Sequence, residues 1–171
     1  MAPAHNSASD AGREAARYLA EHQLVVVTAE SCTAGLSAAT LAEVPGAGQV
    51  LEAAFVVYDP KAKRRCLGVP ESVLQRHNLT SEPVARAMAE GALRCSDAAI
   101  AIANTGVADD SDPQIPAGTQ CFAWLFRHGD QVQAFCETQR FIGERNAVRQ
   151  AAAAHALARI AHYHRRLQAW S

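Results

Sequence analysis

Short apolar runs alternate along this chain with segments in which apolar residues repeat at the helical period. This alternation is the feature that most constrains how the chain folds. Five runs rich in apolar residues are predicted as strands, at residues 24–28, 51–58, 98–104, 119–127 and 131–141. Helices are predicted in most of the intervals and at both ends, at residues 11–21, 36–43, 61–67, 71–77, 82–95 and 144–168. A hairpin turn joins the last two strands. This order predicts a three-layer α/β/α sandwich with a mixed, mostly parallel sheet.

Several helix boundaries carry local signals. Ser9 or Asp10 is predicted to cap the first helix, and Ser81, followed by Glu82 and Pro83, is a strong start for the fifth. The second helix is predicted to end near residue 43, because the Pro-Gly-Ala-Gly segment at 45–48 cannot continue it. Residues 1–10 are predicted to form a flexible tail, which leaves 11–171 as a single domain.

The composition excludes several classes of partner. The 171 residues include 16 Lys and Arg against 17 Asp and Glu, a net charge of −1, so the bulk charge does not favour a nucleic acid or an anionic membrane. No apolar run approaches the roughly 20 residues of a membrane-spanning helix. The five cysteines are widely spaced and include no C-x-x-C pair, which predicts a reducing cytoplasmic location and no metal site.

The segment 28–35 is the first candidate for chemistry. It connects a buried strand to a helix of small residues and offers two hydroxyls and a thiol, on Ser31, Thr33 and Cys32. Backbone N–H groups at a helix N-terminus favour negative charge, so this turn is suited to a nucleophile, an anion site or both. Cys32 is either a nucleophile with a pKa lowered by the helix or a packed core thiol. Ser31 has the competing interpretation of a helix cap.

Three polar groups are predicted at the carboxyl ends of strands, where ligands of such sheets bind. They are Ser31, Tyr58 with the nearby Lys61 and Lys63, and Thr105 with Gly106. A lysine whose pKa is lowered by burial can take the proton of a nucleophilic serine, and a tyrosine phenol can relay it. The residues alone leave Lys61 and Lys63 as equal candidates, and a solvated basic helix face is the alternative for both.

The segment Ala29-Glu30-Ser31-Cys32-Thr33-Ala34-Gly35 resembles the A-E-S-C-T-G-G signature of the CinA C-terminal domain family. The resemblance continues in order through Val44-Pro45-Gly46, Tyr58, Ala62-Lys63, Leu67-Gly68-Val69, Ser81-Glu82, Ala85, Met88-Ala89-Glu90-Gly91-Ala92, Thr105-Gly106, Pro116, Gly118-Thr119, Phe141, Gly143, Arg145, Val148 and Arg149. It covers residues 11–168. It implies the same three-layer fold and a homodimer without metal or cofactor.

The resemblance also implies an activity, that of a nicotinamide-nucleotide amidase, which hydrolyses nicotinamide mononucleotide to nicotinate mononucleotide and ammonia. By position, Ser31 matches the nucleophile, and Tyr58 and Lys63 match the groups that activate it. The spacing from the tyrosine to the Ala-Lys pair selects Lys63 over Lys61. The residues expected near the small-molecule substrate or its phosphate are Glu30, Cys32, Thr33, Thr105, Gly106 and Arg145.

The sequence departs from the family pattern in the segment 107–119. The family has a glycine-rich I-A-G-P-x-G-G element there and then K-P-V-G-T, whereas this chain has lost those glycines, carries Asp109, Asp110 and Asp112, and has Ile115 before the proline. Carboxylates near a phosphate weaken its binding. Two hypotheses follow. The chain is a working amidase, which the presence of Ser31, Tyr58 and Lys63 favours, or it is a diverged paralogue, which the segment 107–119, here called the acidic loop, favours. Such a paralogue is a binding or regulatory protein or an amidase for a non-phosphorylated substrate.

Overall fold

The computed structural model describes residues 8–169. The helices of this range are α1 (Ala8–Glu21), α2 (Leu36–Ala42), α3 (Pro60–Leu67), α4 (Glu71–Arg76), α5 (Glu82–Arg94) and α6 (Arg145–Gln168), with a short 3-10 helix at Ala47–Gln49. The strands are β1 (Val26–Glu30), β2 (Leu51–Val56), β3 (Ile100–Gly106), β4 (Thr119–His128) and β5 (Gln131–Arg140).

The five strands form one sheet in the order β2-β1-β3-β4-β5. β1 pairs in parallel with β2 and with β3, and β4 is antiparallel to both β3 and β5. Four strands therefore point in one direction, and the predicted mixed sheet is confirmed. In the register, Glu30 lies beside Val56 on one side and Asn104 on the other. The residues that follow these three strands thus meet at one edge of the sheet.

Helices cover both faces of the sheet and complete the three layers. On one face, α5 packs against β1, β3 and β4, with Val84 and Met88 fully buried, and α3 lies against α5. On the other face, α1, α2 and α6 pack together, and Leu157 of α6 belongs to the same buried cluster as the aromatic residues of β4. The indole N–H of the buried Trp124 donates to the carbonyl of Ala156 at 2.8 Å, which satisfies its one donor.

Several helices and strands begin or end at residues other than those predicted. α1 begins at Ala8 and not at residue 11, so Ser9 and Asp10 lie inside its first turn, where Asp10 forms an ion pair with Arg13. Residues 8–10 are therefore not part of a tail, and residues 1–7 lie outside the described range. β1 and β3 each run two residues further than predicted, because the polar residues at their ends have partners inside the fold.

The predicted start of the fifth helix is confirmed. The Ser81 hydroxyl accepts a hydrogen bond from the backbone N–H of Val84 at 3.4 Å, and Pro83 occupies the first turn. Across residues 8–169, none of the helices has the length and apolarity that crossing a membrane requires.

Candidate active site

Ser31 and Lys63 are in direct contact at the sheet edge where β1 ends. Ser31 is the first residue after β1, and its backbone N–H donates to the carbonyl of Asn104 at 3.0 Å. Lys63 comes from α3, with only 1% of its surface exposed. Its Nζ lies 2.9 Å from the Ser31 Oγ. The pairing of Ser31 with Lys63 that the family resemblance implies is therefore present, whereas Lys61, the other candidate on the residues alone, is exposed on the same helix.

The other contacts of Lys63 fix the direction of its lone pair. Nζ also lies 2.8 Å from the carbonyl oxygen of Val57 and 3.0 Å from that of Tyr58. A carbonyl can only accept, so each of these contacts requires an N–H of the lysine. A neutral amine has two N–H groups, and once both are used its lone pair faces the Ser31 hydroxyl. The geometry is that of a base next to a nucleophile.

Burial makes this neutral form accessible. It lowers the pKa of Lys63 from 10.5 to about 8, and the nearby Asp59 carboxylate opposes the shift. Asp59 also caps α3, where its side chain accepts from the N–H of Lys61 at 2.7 Å. At pH 8, about half of the Lys63 side chains are then uncharged.

Glu30 organises the turn that carries Ser31. Its carboxylate is 1% exposed and accepts five hydrogen bonds, from the hydroxyls of Thr28 and Thr33 and from the backbone N–H groups of Gly35, Ser37 and Ala38. Three of these donors belong to the N-terminal end of α2, which attracts negative charge. Glu30 therefore holds the turn, and the predicted substrate contact is replaced by this structural role.

The turn needs two successive residues in the left-handed region. Ala34 has φ 49° and Gly35 has φ 93°. Glycine adopts this conformation without strain, whereas an alanine there costs about 1 kcal/mol. Ala34 is the position where the family signature has glycine, so this chain retains the turn at some cost in stability.

Cys32 is a packed thiol and not a nucleophile. Its surface is 4% exposed, and it packs with Ala108 and Val148. Burial raises the pKa of the thiol, although its sulfur accepts a hydrogen bond from the Gln120 amide at 3.3 Å. Of the two interpretations of Cys32, the packed one is supported, because the loss of solvent outweighs the Gln120 hydrogen bond and the charges of Arg145 and Arg149, which act to lower the pKa.

A buried amide pair links the turn to the sheet, and the sequence analysis did not single it out. The Asn104 side chain accepts from the N–H of Thr33 at 3.2 Å and donates to Gln120 at 2.9 Å. Gly106 lies opposite Gln120, and a Cβ at Gly106 would stand 2.4 Å from the amide. Gly106 thus makes room for Gln120 and is not placed as a substrate contact. The sequence did contain a signal for this pair, because Asn104 and Gln120 are polar residues inside otherwise apolar strands.

Two predicted substrate contacts direct their hydroxyls into the protein. Thr33 is fully buried, and its hydroxyl donates to Glu30 at 2.7 Å. Thr105 is 2% exposed and donates to the carbonyl of Leu79 at 2.8 Å. Both hydroxyls satisfy protein acceptors, so their role in this structure is to join segments around the site.

Tyr58 and Arg145 lie together at the mouth of the site. Tyr58 is 55% exposed, and its hydroxyl accepts a hydrogen bond from Arg145 at 2.9 Å. Among the contacts of residues 8–169, the phenol has none with Ser31, and the tyrosine meets Lys63 through its backbone carbonyl. In this structure the phenol is thus paired with Arg145, and its part in activating Ser31 stays a prediction.

The acidic loop reaches the same place through Asp109. Arg145 donates to the Asp109 carboxylate at 2.5 Å. Hydrogen bonds from Ser111 and Arg145 hold the pKa of Asp109 below its ordinary value, so it stays ionised. A second arginine, Arg149, was not among the predicted site residues, and it donates to the carbonyls of Cys32 and Thr33 at 2.9 and 3.2 Å.

No metal site is built in the described part of the chain. Within residues 8–169, no group of three or more His, Cys, Asp or Glu side chains is placed to hold an ion. The chemistry that the described residues support is nucleophilic, with a serine hydroxyl, an adjacent amine and a rigid turn.

Comparison with known proteins identifies a family. The model of the CinA C-terminal domain matches residues 9–164. A protein of Symbiobacterium thermophilum named as competence-damage inducible is 46% identical over 154 residues, which is 86% of this chain and 36% of that protein. A CinA-like protein of Akkermansia muciniphila is 49% identical over 115 residues, 66% of this chain and 28% of that protein. The chain thus spans about a third of the length of these curated relatives.

Solved structures show the same fold over nearly the whole chain. The competence damage-inducible protein A of Klebsiella pneumoniae has a TM-score of 0.86 and 33% identity, covering 92% of this chain and 96% of its own. A CinA superfamily protein of Escherichia coli has a TM-score of 0.85 and 31% identity, covering 94% and 92%.

Proposed function

This chain belongs to the CinA C-terminal domain family, and on that premise we propose that it is an amidase acting on nicotinamide mononucleotide. The products are nicotinate mononucleotide and ammonia. The observation that carries the proposal is the 2.9 Å contact between Lys63 Nζ and Ser31 Oγ, with the lysine buried and its pKa lowered to about 8. A binding protein has no need of a desolvated lysine against a serine.

The reaction follows from the contacts of Lys63. The neutral amine takes the Ser31 proton as Oγ attacks the carboxamide carbon, and the two carbonyls that accept from Nζ stabilise the resulting ammonium. When the tetrahedral intermediate collapses, the ammonium returns its proton to the leaving nitrogen, and ammonia departs. Water then attacks the acyl-enzyme, with Lys63 again taking the proton, and the carboxylate product is released as Ser31 is restored.

The developing oxyanion needs a donor beside Ser31. Within residues 8–169, the backbone N–H of Cys32 has no hydrogen-bond partner, whereas the N–H groups of Thr33 and Gly35 are held by side chains. The Cys32 N–H directly follows the nucleophile and is the donor we assign to the oxyanion.

A second substrate class has one observation in its favour. Arg145, the residue expected near the phosphate, is engaged by Asp109, which favours an amide without a phosphate. We place the enzyme in the cytoplasm as a homodimer that acts without a cofactor. The five cysteines, all present as thiols, are in keeping with a reducing compartment.

Ammonia release from nicotinamide mononucleotide tests the proposal. The wild type is expected to release ammonia, and Ser31→Ala to lose at least about a thousandfold in kcat because the nucleophile is gone. Ser72→Ala, an exposed serine on α4, is the control and is expected to retain full activity. Absence of release by the wild type from both the mononucleotide and the riboside contradicts an amidase, and equal release by Ser31→Ala contradicts the role of the serine.

A further inference from the structure

The start of the acidic loop is fixed against the catalytic turn. The carbonyl of Val107 accepts from the Gln120 amide at 3.1 Å and from the N–H of Gly118 at 3.1 Å. Ala108 is 5% exposed and packs against Cys32, the residue after the nucleophile. Asp109 comes directly after these anchored residues, so its position is set by the packing of the site.

Both arms of the Arg145 guanidinium are occupied by groups of the protein. One nitrogen donates to Asp109 at 2.5 Å and the other to the Tyr58 hydroxyl at 2.9 Å. The second Asp109 oxygen accepts from the backbone N–H of Ser111 at 3.2 Å. The ion-paired side chains are 48% and 44% exposed, so the pair is accessible to an incoming ligand and is of the weak, displaceable kind.

Tyr58 relates this ion pair to the reacting atoms. Its backbone carbonyl accepts a hydrogen bond from Lys63, and its hydroxyl accepts one from Arg145. The length of the Tyr58 side chain therefore separates the guanidinium from the catalytic amine. The neighbouring Arg149 is committed to the carbonyls of Cys32 and Thr33. Arg145 is therefore the cation positioned to meet an anionic group on an amide bound at Ser31.

Resting on the proposed amidase function, we infer that Asp109 is a specificity-determining residue whose carboxylate takes the place of a substrate phosphate on Arg145. The site thereby favours pyridine carboxamides whose ribose carries a free hydroxyl over those that carry a phosphate. A phosphate that takes the Asp109 position on Arg145 has to displace that carboxylate, and one that binds the remaining donors of Arg145 lies beside it. An uncharged hydroxyl meets neither obstacle.

Binding to the catalytically silent Ser31→Ala protein tests this inference without turnover. Calorimetric titration with nicotinamide mononucleotide and with nicotinamide riboside gives a Kd for each ligand. Adding Asp109→Asn is expected to tighten the mononucleotide about tenfold, the scale of one exposed ion pair with its like-charge repulsion. The riboside Kd is expected to change by less than about twofold.

Asp110→Asn is the matched control. It removes the same charge from the next residue of the loop, and Asp110 has no contact with Arg145 in the described residues. It is expected to tighten the mononucleotide by less than about threefold. Equal tightening of both ligands by Asp109→Asn, equal effects of the two variants, or failure of both ligands to bind each overturns the inference.

Turnover with Ser31 intact separates this inference from the proposed function. If both amides are hydrolysed and the ratio of their kcat/KM values is the same in wild type and Asp109→Asn, the role of Asp109 is wrong and the amidase stands. If neither amide is hydrolysed, the amidase is wrong, and the binding measurements still decide whether Asp109 competes for Arg145.

Discussion

Lys63 lowers the stability of the fold and also supplies the base of the proposed reaction. Its amine is buried, touches two carbonyls and one hydroxyl, and has a pKa of about 8. An exposed lysine at pH 7 is charged in all but about one molecule in 2,500. The low pKa raises the neutral fraction at pH 7 to about a tenth, which is enough for a general base.

This ionisation predicts the pH dependence of activity. Because only the neutral amine can take the Ser31 proton, kcat/KM for ammonia release is expected to rise about tenfold per pH unit below the pKa and to level off above about pH 8. Lys63→Met is expected to lose at least about a thousandfold at every pH. The measurement is ammonia release between pH 6 and 10.

Lys61→Met provides the control for that profile. Lys61 lies two residues away on α3 and is exposed, so its loss is expected to leave both the rate and the midpoint unchanged. A flat wild-type profile from pH 6 to 9, or a comparable loss in the two lysine variants, would show that Lys63 is not the base.

At the scale of elements, the site depends on how closely α3 approaches α5. A Cβ on Gly91 of α5 would stand 2.1 Å from the carbonyl oxygen of Leu67, the last residue of α3. Arg94 donates to that same carbonyl at 3.1 Å. Lys63 lies one turn earlier on α3, so any shift of this helix changes the distance between Nζ and the Ser31 Oγ.

Gly91→Ala is therefore expected to weaken catalysis from a distance. The added methyl group forces α3 away from α5, which is expected to cost about 1–3 kcal/mol of unfolding free energy and to lower kcat about 10- to 100-fold. Gly48→Ala is the control, since a Cβ there meets nothing within 4 Å. Urea denaturation and ammonia release measure the two effects, and a Gly91→Ala protein with wild-type activity would contradict the dependence of Lys63 on this packing.

The order of elements was predictable from the sequence because it depends on local patterns. The residues alone also indicated Ser31 and a lysine of the segment 61–63, and the family resemblance selected Lys63. Apolar runs and caps specify strands and helix starts, and the three parallel strands bring their carboxyl ends together. The roles of Glu30, Gly106 and the Tyr58 phenol were not predictable in this way. The partners of Gly106 and Tyr58 come from distant segments, Gln120 on β4 and Arg145 on α6. The partners of Glu30 lie within eight residues of it, but they meet its carboxylate only because the turn folds back on itself. Periodicity does not report which side chains meet.

The acidic loop shows the same limit. Its three carboxylates predicted a change of charge near the site, but only the structure shows which partners Asp109 and Asp112 have. Asp109 meets Arg145, and Asp112 accepts a hydrogen bond from Asn78 at 3.0 Å, away from that arginine. In this chain the loop that lacks the family's glycines thus places one carboxylate on Arg145, and Ser31 and Lys63 remain in contact.

At the scale of the whole molecule, the buried lysine couples folding to pH. The pKa of Lys63 is about 8 in the folded chain and returns to its ordinary value near 10.4 on unfolding. Between these values the unfolded chain binds more protons, so the unfolding free energy rises with pH. Lys63 therefore lowers the unfolding free energy at neutral pH. This loss disappears at high pH, where the amine is uncharged in both the folded and the unfolded chain.

Comparison with Lys63→Met isolates this contribution from other titrating groups. Relative to that variant, the wild-type unfolding free energy is expected to increase by about 3 kcal/mol between pH 7 and pH 10.5, with most of the gain above pH 8. Urea denaturation of both proteins at half-unit pH steps gives the difference curve. Parallel curves would mean that Lys63 titrates alike in the folded and unfolded chains. The desolvation that makes it a base would then be absent.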